Sequence, residues 1–227
     1  MSSQYYRNLE DFGLERFKRR LATEELLPAH QVLREGLDQR FQLLQTMGIT
    51  NLQELIDALR TKKRLAAFAQ ESGLPYDYLV ILGRQARSYV PKPVYFGQIP
   101  GLNPDHVARL DAAGIKHSKH LFDRALTPAD RLDLSEETGL TGSDILAYVG
   151  MSDLARILGV GPVFVRLFYE AGVRSLEDLS GRSPEELWSQ LHTVNDALGP
   201  SSAVPSLKDV AHSVAEAQEL PHVVEYK

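Results

Sequence analysis

The 227-residue chain contains no cysteine. That excludes disulfide bridges, thiolate nucleophiles and cysteine-ligated zinc, and a cytoplasmic protein is the expectation. No apolar run approaches the ~18 residues of a membrane span, and the opening Met1-Ser-Ser-Gln-Tyr-Tyr-Arg7 lacks the apolar core of a secretory signal. No membrane partner is therefore expected. Runs of alternating β-branched residues are missing too, which argues against strands. An excess of positive charge is also missing, since the net charge is −5. Residues 176–227 hold three basic against nine acidic side chains and residues 41–175 hold fifteen against fourteen, so no whole-molecule attraction to polyanions is expected. The signatures of enzymes are absent as well: no nucleophile elbow, phosphate loop, metal-binding helix pair or dinucleotide fingerprint is present. The expectation is a non-enzyme with no cofactor, no metal and no small-molecule substrate. The Glu136-Glu137 and Glu185-Glu186 pairs read as helix starts, where acids suit the helix dipole.

What the chain does have is repetition. Ile99-Pro-Gly-Leu-Asn-Pro-Asp-His-Val-Ala-Arg-Leu-Asp-Ala-Ala-Gly-Ile115 aligns without a gap to Ile157-Leu-Gly-Val-Gly-Pro-Val-Phe-Val-Arg-Leu-Phe-Tyr-Glu-Ala-Gly-Val173. Each reads as a glycine turn that opens a short helix, with proline at the first helical position and a second glycine as the stop. Gly101 and Gly159 are placed at the sharp fold of the backbone. Asn103 and Gly161 are expected at a second left-handed position, which asparagine tolerates better than most residues.

The repetition extends beyond these windows. Gly48-Ile-Thr-Asn-Leu, Gly114-Ile-Lys-His-Ser and Gly172-Val-Arg-Ser-Leu share a pattern, as do Glu71-Ser-Gly-Leu and Glu137-Thr-Gly-Leu. Gly48 and Gly114 are 66 residues apart, and so are Gly73 and Gly139. Two landmarks with one period argue for internal duplication. Gly114 and Gly172 are 58 apart, so the first connection is longer, with its extra residues around Val90–Gly97. A degenerate slot of the same kind falls at Glu35-Gly36-Leu37-Asp38.

Helix starts are legible throughout. Asn51 and Ser175 are N-caps with an acid three residues later, and His117 takes the aligned position. Thr127-Pro-Ala-Asp130 and Ser183-Pro-Glu-Glu186 combine cap, proline and acid. Leu9, Phe12, Leu14, Phe17 and Leu21 give a helical stripe in the first 40 residues, with the basic Arg16–Arg20 run as its solvated face. A second helical stretch is expected at His30–Glu35. Asn195–Pro205 reads as a linker, Ser206 caps a last helix, and the chain is expected to be extended or disordered after Pro221. The fold class is all-α.

Ile157–Leu191 resembles the helix-hairpin-helix pattern of RuvA, DNA ligases and family X polymerases. Over residues 36–221 the chain is similar to an uncharacterised bacterial family of domains of unknown function. It shares with that family Glu137-Thr-Gly-Leu, the second hairpin, His192-Thr-Val-Asn and Val204-Pro-Ser-Leu-Lys-Asp-Val. The resemblance implies tandem helix-hairpin-helix (SAM-like) units: 36–112 and 113–195, between a helical N-terminal extension over 1–35 and a linker with C-terminal helix over 196–227.

By that resemblance, hairpin amides at Gly101, Leu102 and Asn103 and at Gly159, Val160 and Gly161 face a phosphate or a partner, with Arg156, Arg166 and Arg174 beside the second hairpin. A monovalent cation on hairpin carbonyls is a further property of such modules. Two features oppose phosphate. Val163 stands where nucleic-acid binders commonly carry a cation, and Asp105 takes that place in the first unit. The connection carrying Lys92, Tyr95 and Phe96 is a candidate docking loop, weighed against buried packing of the loop on the helices. Metal binding at His106, His117, His120 and Asp123 is weighed against capping by His117, which the repeat favours. The expected function is protein docking by a non-catalytic scaffold, with sequence-nonspecific DNA or RNA binding as the alternative.

Overall fold

The computed structural model describes residues 4–198 and 204–226, the side chain of Leu198 excepted. Among them the chain is all-helical, and extended backbone pairs only at two isolated bridges, Gly13 with Asn51 and Tyr95 with His117. The chain forms two compact units: residues 8–90, and residues 91–227 joined by the first seven residues. No helix among the described residues is long and apolar enough to cross a membrane.

The unit over 8–90 contains α1 (Leu14–Thr23), α2 (Leu37–Thr46), α3 (Leu52–Ala58), α4 (Lys62–Ser72) and α5 (Tyr76–Arg87). All five residues of the first helical stripe, from Leu9 to Leu21, are buried. Phe17 lies between Phe41 and Tyr89, with ring centroids 6.0 and 5.5 Å away. The expected helix at His30–Glu35 is instead a 3-10 helix over Pro28–Arg34. Pro28 starts it, and the short 3-10 form suits a connector.

The other unit contains α6 (Pro104–Ala112), α7 (Ser118–Phe122), α8 (Pro128–Thr138), α9 (Gly142–Leu154), α10 (Pro162–Glu170), α11 (Leu176–Ser180), α12 (Pro184–Leu198) and α13 (Leu207–Glu219). Its centre is α9, which packs on α7, α8, α10 and α11. Every residue from Tyr148 to Leu154 is buried, as befits a helix enclosed by neighbours. Glu136 and Glu137 end α8 instead of starting a helix, whereas Glu185 and Glu186 do open α12. Within the expected linker at Asn195–Pro205, α12 runs on to Leu198 and Asn195 is buried, while residues 199–203 lie outside the described residues.

The local repeat is visible bond by bond. At the end of α2, α6 and α10, the amides of Ile49, Ile115 and Val173 each donate five residues back, to Leu44, Leu110 and Phe168, at 3.1, 2.8 and 3.0 Å. This Schellman closure needs a left-handed residue before the donor, and Gly48, Gly114 and Gly172 supply it with φ of 83°, 78° and 85°. Two residues on from each donor, Asn51, His117 and Ser175 accept from the third amide of α3, α7 and α11. His117 is thus a cap.

Candidate functional site

The two aligned windows fold alike. Gly101 and Gly159 take φ of 72° and 85°, a region where a Cβ would be strained. Val160 then turns into the core and Leu102 packs partly against it. Asn103 and Gly161 are not left-handed: their φ values are −66° and −96° with extended ψ. Both are N-caps, and an N-cap takes β-region backbone so that its carbonyl can accept the first helical bond. Val107 and Val165 donate those bonds at 3.1 and 2.9 Å. Asn103 also accepts from the amide of Asp105 at 3.0 Å.

The structure separates the three candidate arginines. Arg156 is not beside the hairpin surface; its side chain is 0% exposed. Nη1 donates to Asp153 at 2.7 Å, Nε to the Tyr5 carbonyl at 3.1 Å, and Nη2 to the carbonyls of Gln4 and Pro221 at 3.3 and 2.9 Å. A guanidinium so occupied, with Phe122 against its face, has no surface to offer an anion. Arg166 pairs with Glu170 at 2.7 Å, and its guanidinium lies 3.5 Å from where a Cβ on Gly101 would stand. It therefore covers the first elbow while projecting from the helix of the second. Arg174 is exposed, lies 4.0 Å over the Tyr169 ring and donates to the Tyr169 carbonyl.

At the first elbow Asp105 pairs with Arg109 at 2.9 Å. At the second, the first turn of α10 carries no acid, and Val163 and Phe164 pack partly on the core. Nothing stands within 4 Å of a Cβ built on Gly159 or Gly161, so that backbone is open on the side a side chain would take.

The connection before α6 is stitched down. Ser118 donates its amide to Val94 at 2.8 Å and accepts the Val94 amide on Oγ at 2.9 Å. Phe96, expected in a docking loop, is instead a core residue with its ring against Tyr148. Tyr95, the extended residue just before a 3-10 turn over Phe96–Gln98, faces the other way: it is 52% exposed and meets His117 edge-on at 5.6 Å. Lys92 is exposed.

His117 and His120 stack with centroids 3.6 Å apart. Burial and the neighbouring His120 hold the His117 imidazole below its ordinary pKa. Each ring accepts a backbone amide on Nδ1, His117 from His120 and His120 from Lys116. No group of three or more His, Asp or Glu side chains among the described residues is placed to hold a metal.

Sequence reasoning missed the polar centre of this unit. Asp153 accepts on Oδ2 from the Leu176 amide and the Tyr226 hydroxyl, both at 3.0 Å. Tyr5 donates to the Ala155 carbonyl and shares a 2.7 Å hydrogen bond with Ser118. Burial pushes the pKa of both tyrosines upward. The available signal was an Asp-x-x-Arg spacing inside the apolar run Ile145–Val160, where unpaired charges are costly.

One family model, described as "Domain of unknown function (DUF4332)", matches residues 100–220, a span holding both elbows and the Asp153–Arg156 pair. Neither a curated protein nor a solved structure matches the chain.

Proposed function

The chain belongs to the family of this domain of unknown function (DUF4332), and from its residues we propose a non-catalytic, cytoplasmic scaffold of tandem helix-hairpin-helix units that docks another protein. The repeat reading is supported by the matching elbows at Gly101 and Gly159 and by the threefold closure-and-cap geometry.

One observation carries docking over phosphate contact. The cations expected around the second hairpin are engaged within the chain: Arg156 is buried, Arg166 is paired with Glu170, and Arg174 is folded over Tyr169. Phosphate binding draws its energy from cations that release counterions, whereas a protein interface draws it from a few aromatic or arginine anchors. Tyr95, exposed in the connection that precedes the first elbow and backed by His117, is such an anchor. The nucleic-acid alternative keeps one supporting feature, the open backbone at Gly159 and Gly161.

A photo-crosslinking residue at Tyr95 tests the docking surface, with one at exposed Leu132 as the control. A discrete adduct from Tyr95 alone, whose purified partner binds Tyr95→Ala at least about tenfold more weakly, is the expected outcome. Equal labelling from both positions, or an unchanged Kd for Tyr95→Ala, would overturn docking at this site.

A further inference from the structure

The strongest unexplained charge lies in the unit over residues 8–90, outside the family match. Arg60, Lys62, Lys63 and Arg64 follow one another around the α3–α4 turn, and all are exposed. Arg87 of α5 joins them: its Nη1 is 3.3 Å from the Cβ position of Gly83, which is itself 3.3 Å from the Cβ of Leu59. Three other cations of this unit are paired, Lys18 with Asp38, Arg20 with Glu24 and Arg40 with Glu35, while exposed Arg19 and Arg84 stand singly along their helices. Among the described residues no such partner faces these five. Arg64 donates to the Asp57 carbonyl at 3.2 Å, and the Asp57 carboxylate is bonded by Gln53. Asp57 and Glu71 line the shallow cleft on one side of Arg64 and mark the edge of the positive surface.

This charge works against the fold that carries it. The first turn of α4 has no acid, while its counterparts in the repeat do: Asp130 closes a capping box in α8, and Glu185 and Glu186 open α12. Three cations in a first turn repel one another and the positive end of the helix. A rule broken locally with no internal compensation points to an external partner. Arg60–Arg64 also lacks an apolar or aromatic side chain, so its exposed arginines have none of the desolvating surround in which the anchors of a protein interface sit. A phosphodiester backbone needs only the charge, since counterion release supplies the affinity. Lys and Arg contacts to phosphate fix position and carry no sequence information, so no sequence preference is expected.

We infer that the Arg60–Arg64 and Arg87 surface of the unit over residues 8–90 binds the phosphate backbone of nucleic acid, separately from the docking proposal above.

The test is fluorescence anisotropy of the full chain with a labelled DNA duplex of about 20 base pairs at low salt. Engagement of three phosphates predicts that Kd rises on the order of 40-fold between about 50 and about 200 mM salt. Lys63→Glu with Arg64→Glu should weaken binding at least about tenfold at low salt. Arg64→Glu places an acid three residues after the Thr61 cap, as Asp130 stands after Thr127, so the variant should melt no lower than the parent. Lost binding with retained melting excludes unfolding as the cause. Three results would each overturn the inference: no anisotropy change at low salt, a double variant that binds like the parent, or loss of binding only on Arg174→Glu. Uptake on phosphatidylserine vesicles without duplex binding would also overturn it, and would assign the patch to a membrane surface.

Discussion

Arg156 and Asp153 form a fully buried ion pair one turn apart, 2.7 Å from Nη1 to Oδ1, and between them they hold both ends of the chain. Arg156 binds the carbonyls of Gln4, Tyr5 and Pro221, and Asp153 binds the hydroxyl of Tyr226. Arg131 adds a bond to the carbonyl of Glu225, and Arg7 pairs with Glu216 of α13. The terminal segments are therefore partners of buried charges in this unit. Arg156→Met should destabilise it by about 3–5 kcal/mol, because Asp153 is left buried with its countercharge gone. Truncation after Leu220 should cost about 2–3 kcal/mol through lost partners of Arg156, Asp153 and Arg131. Urea midpoints read both effects. A fragment trimmed to 100–220 that is as stable as the full chain would contradict this role of the ends.

Gly150 of α9 faces the carbonyl oxygen of Arg174, and a Cβ built there would stand 2.4 Å from it. The backbone after α10 passes this close only because the side chain is absent. Gly150→Ala should therefore cost about 3 kcal/mol by forcing the two segments apart. Gly142, on the same helix with nothing within 4 Å of its Cβ position, is the control: Gly142→Ala should stabilise by about 0.4–1 kcal/mol. Thermal melts of the two variants should move in opposite directions.

The parts of this fold that were legible in the sequence are those whose causes are local. The caps at Asn51, Ser175 and Ser206 need only the residues that follow them, and each bonds as its spacing predicts. The cap at His117 was legible through the repeat alone, since histidine is not a common N-cap. Arg156 was misplaced because its partners, Gln4 and Tyr5, lie 152 and 151 residues away. Its place in the sequence, three residues before Gly159, put it next to a glycine turn without showing which way it faced. Phe96 failed similarly: its neighbour Tyr95 is exposed, and only the pairing of Val94 with Ser118 reveals the register that sends one ring in and the other out.

Tyr78 carries the one buried side-chain polar atom without a hydrogen-bond partner among the described residues, its hydroxyl. Desolvation pushes its pKa up to about 12. The Arg40 guanidinium lies over the ring face, 4.2 Å from its centre, and a phenylalanine ring preserves that contact. Tyr78→Phe should accordingly stabilise the unit over 8–90 by about 1 kcal/mol, since it removes an unpaid desolvation cost and leaves packing alone. A lower urea midpoint for this variant would show that the hydroxyl is partnered in solution.

His117 makes the stability of the other unit depend on mildly acidic pH. Its Nδ1 accepts the amide of His120 at 3.3 Å, and protonation removes that lone pair. Burial and the stacked His120, 3.6 Å away, also disfavour the charged ring. The folded pKa is therefore below the unfolded one, so the unfolded chain binds the proton more readily. The stability contributed by neutral His117 is complete above the ordinary imidazole value of about 6.5 and declines as pH falls from there through the folded pKa. His117→Asn places at this cap the residue that the first repeat uses at Asn51, whose side chain caps without titrating in this range. The parent's urea midpoint should fall between about pH 7.5 and pH 5.5 more steeply than the variant's. Parallel curves for the two proteins would show that His117 does not control the acid limb.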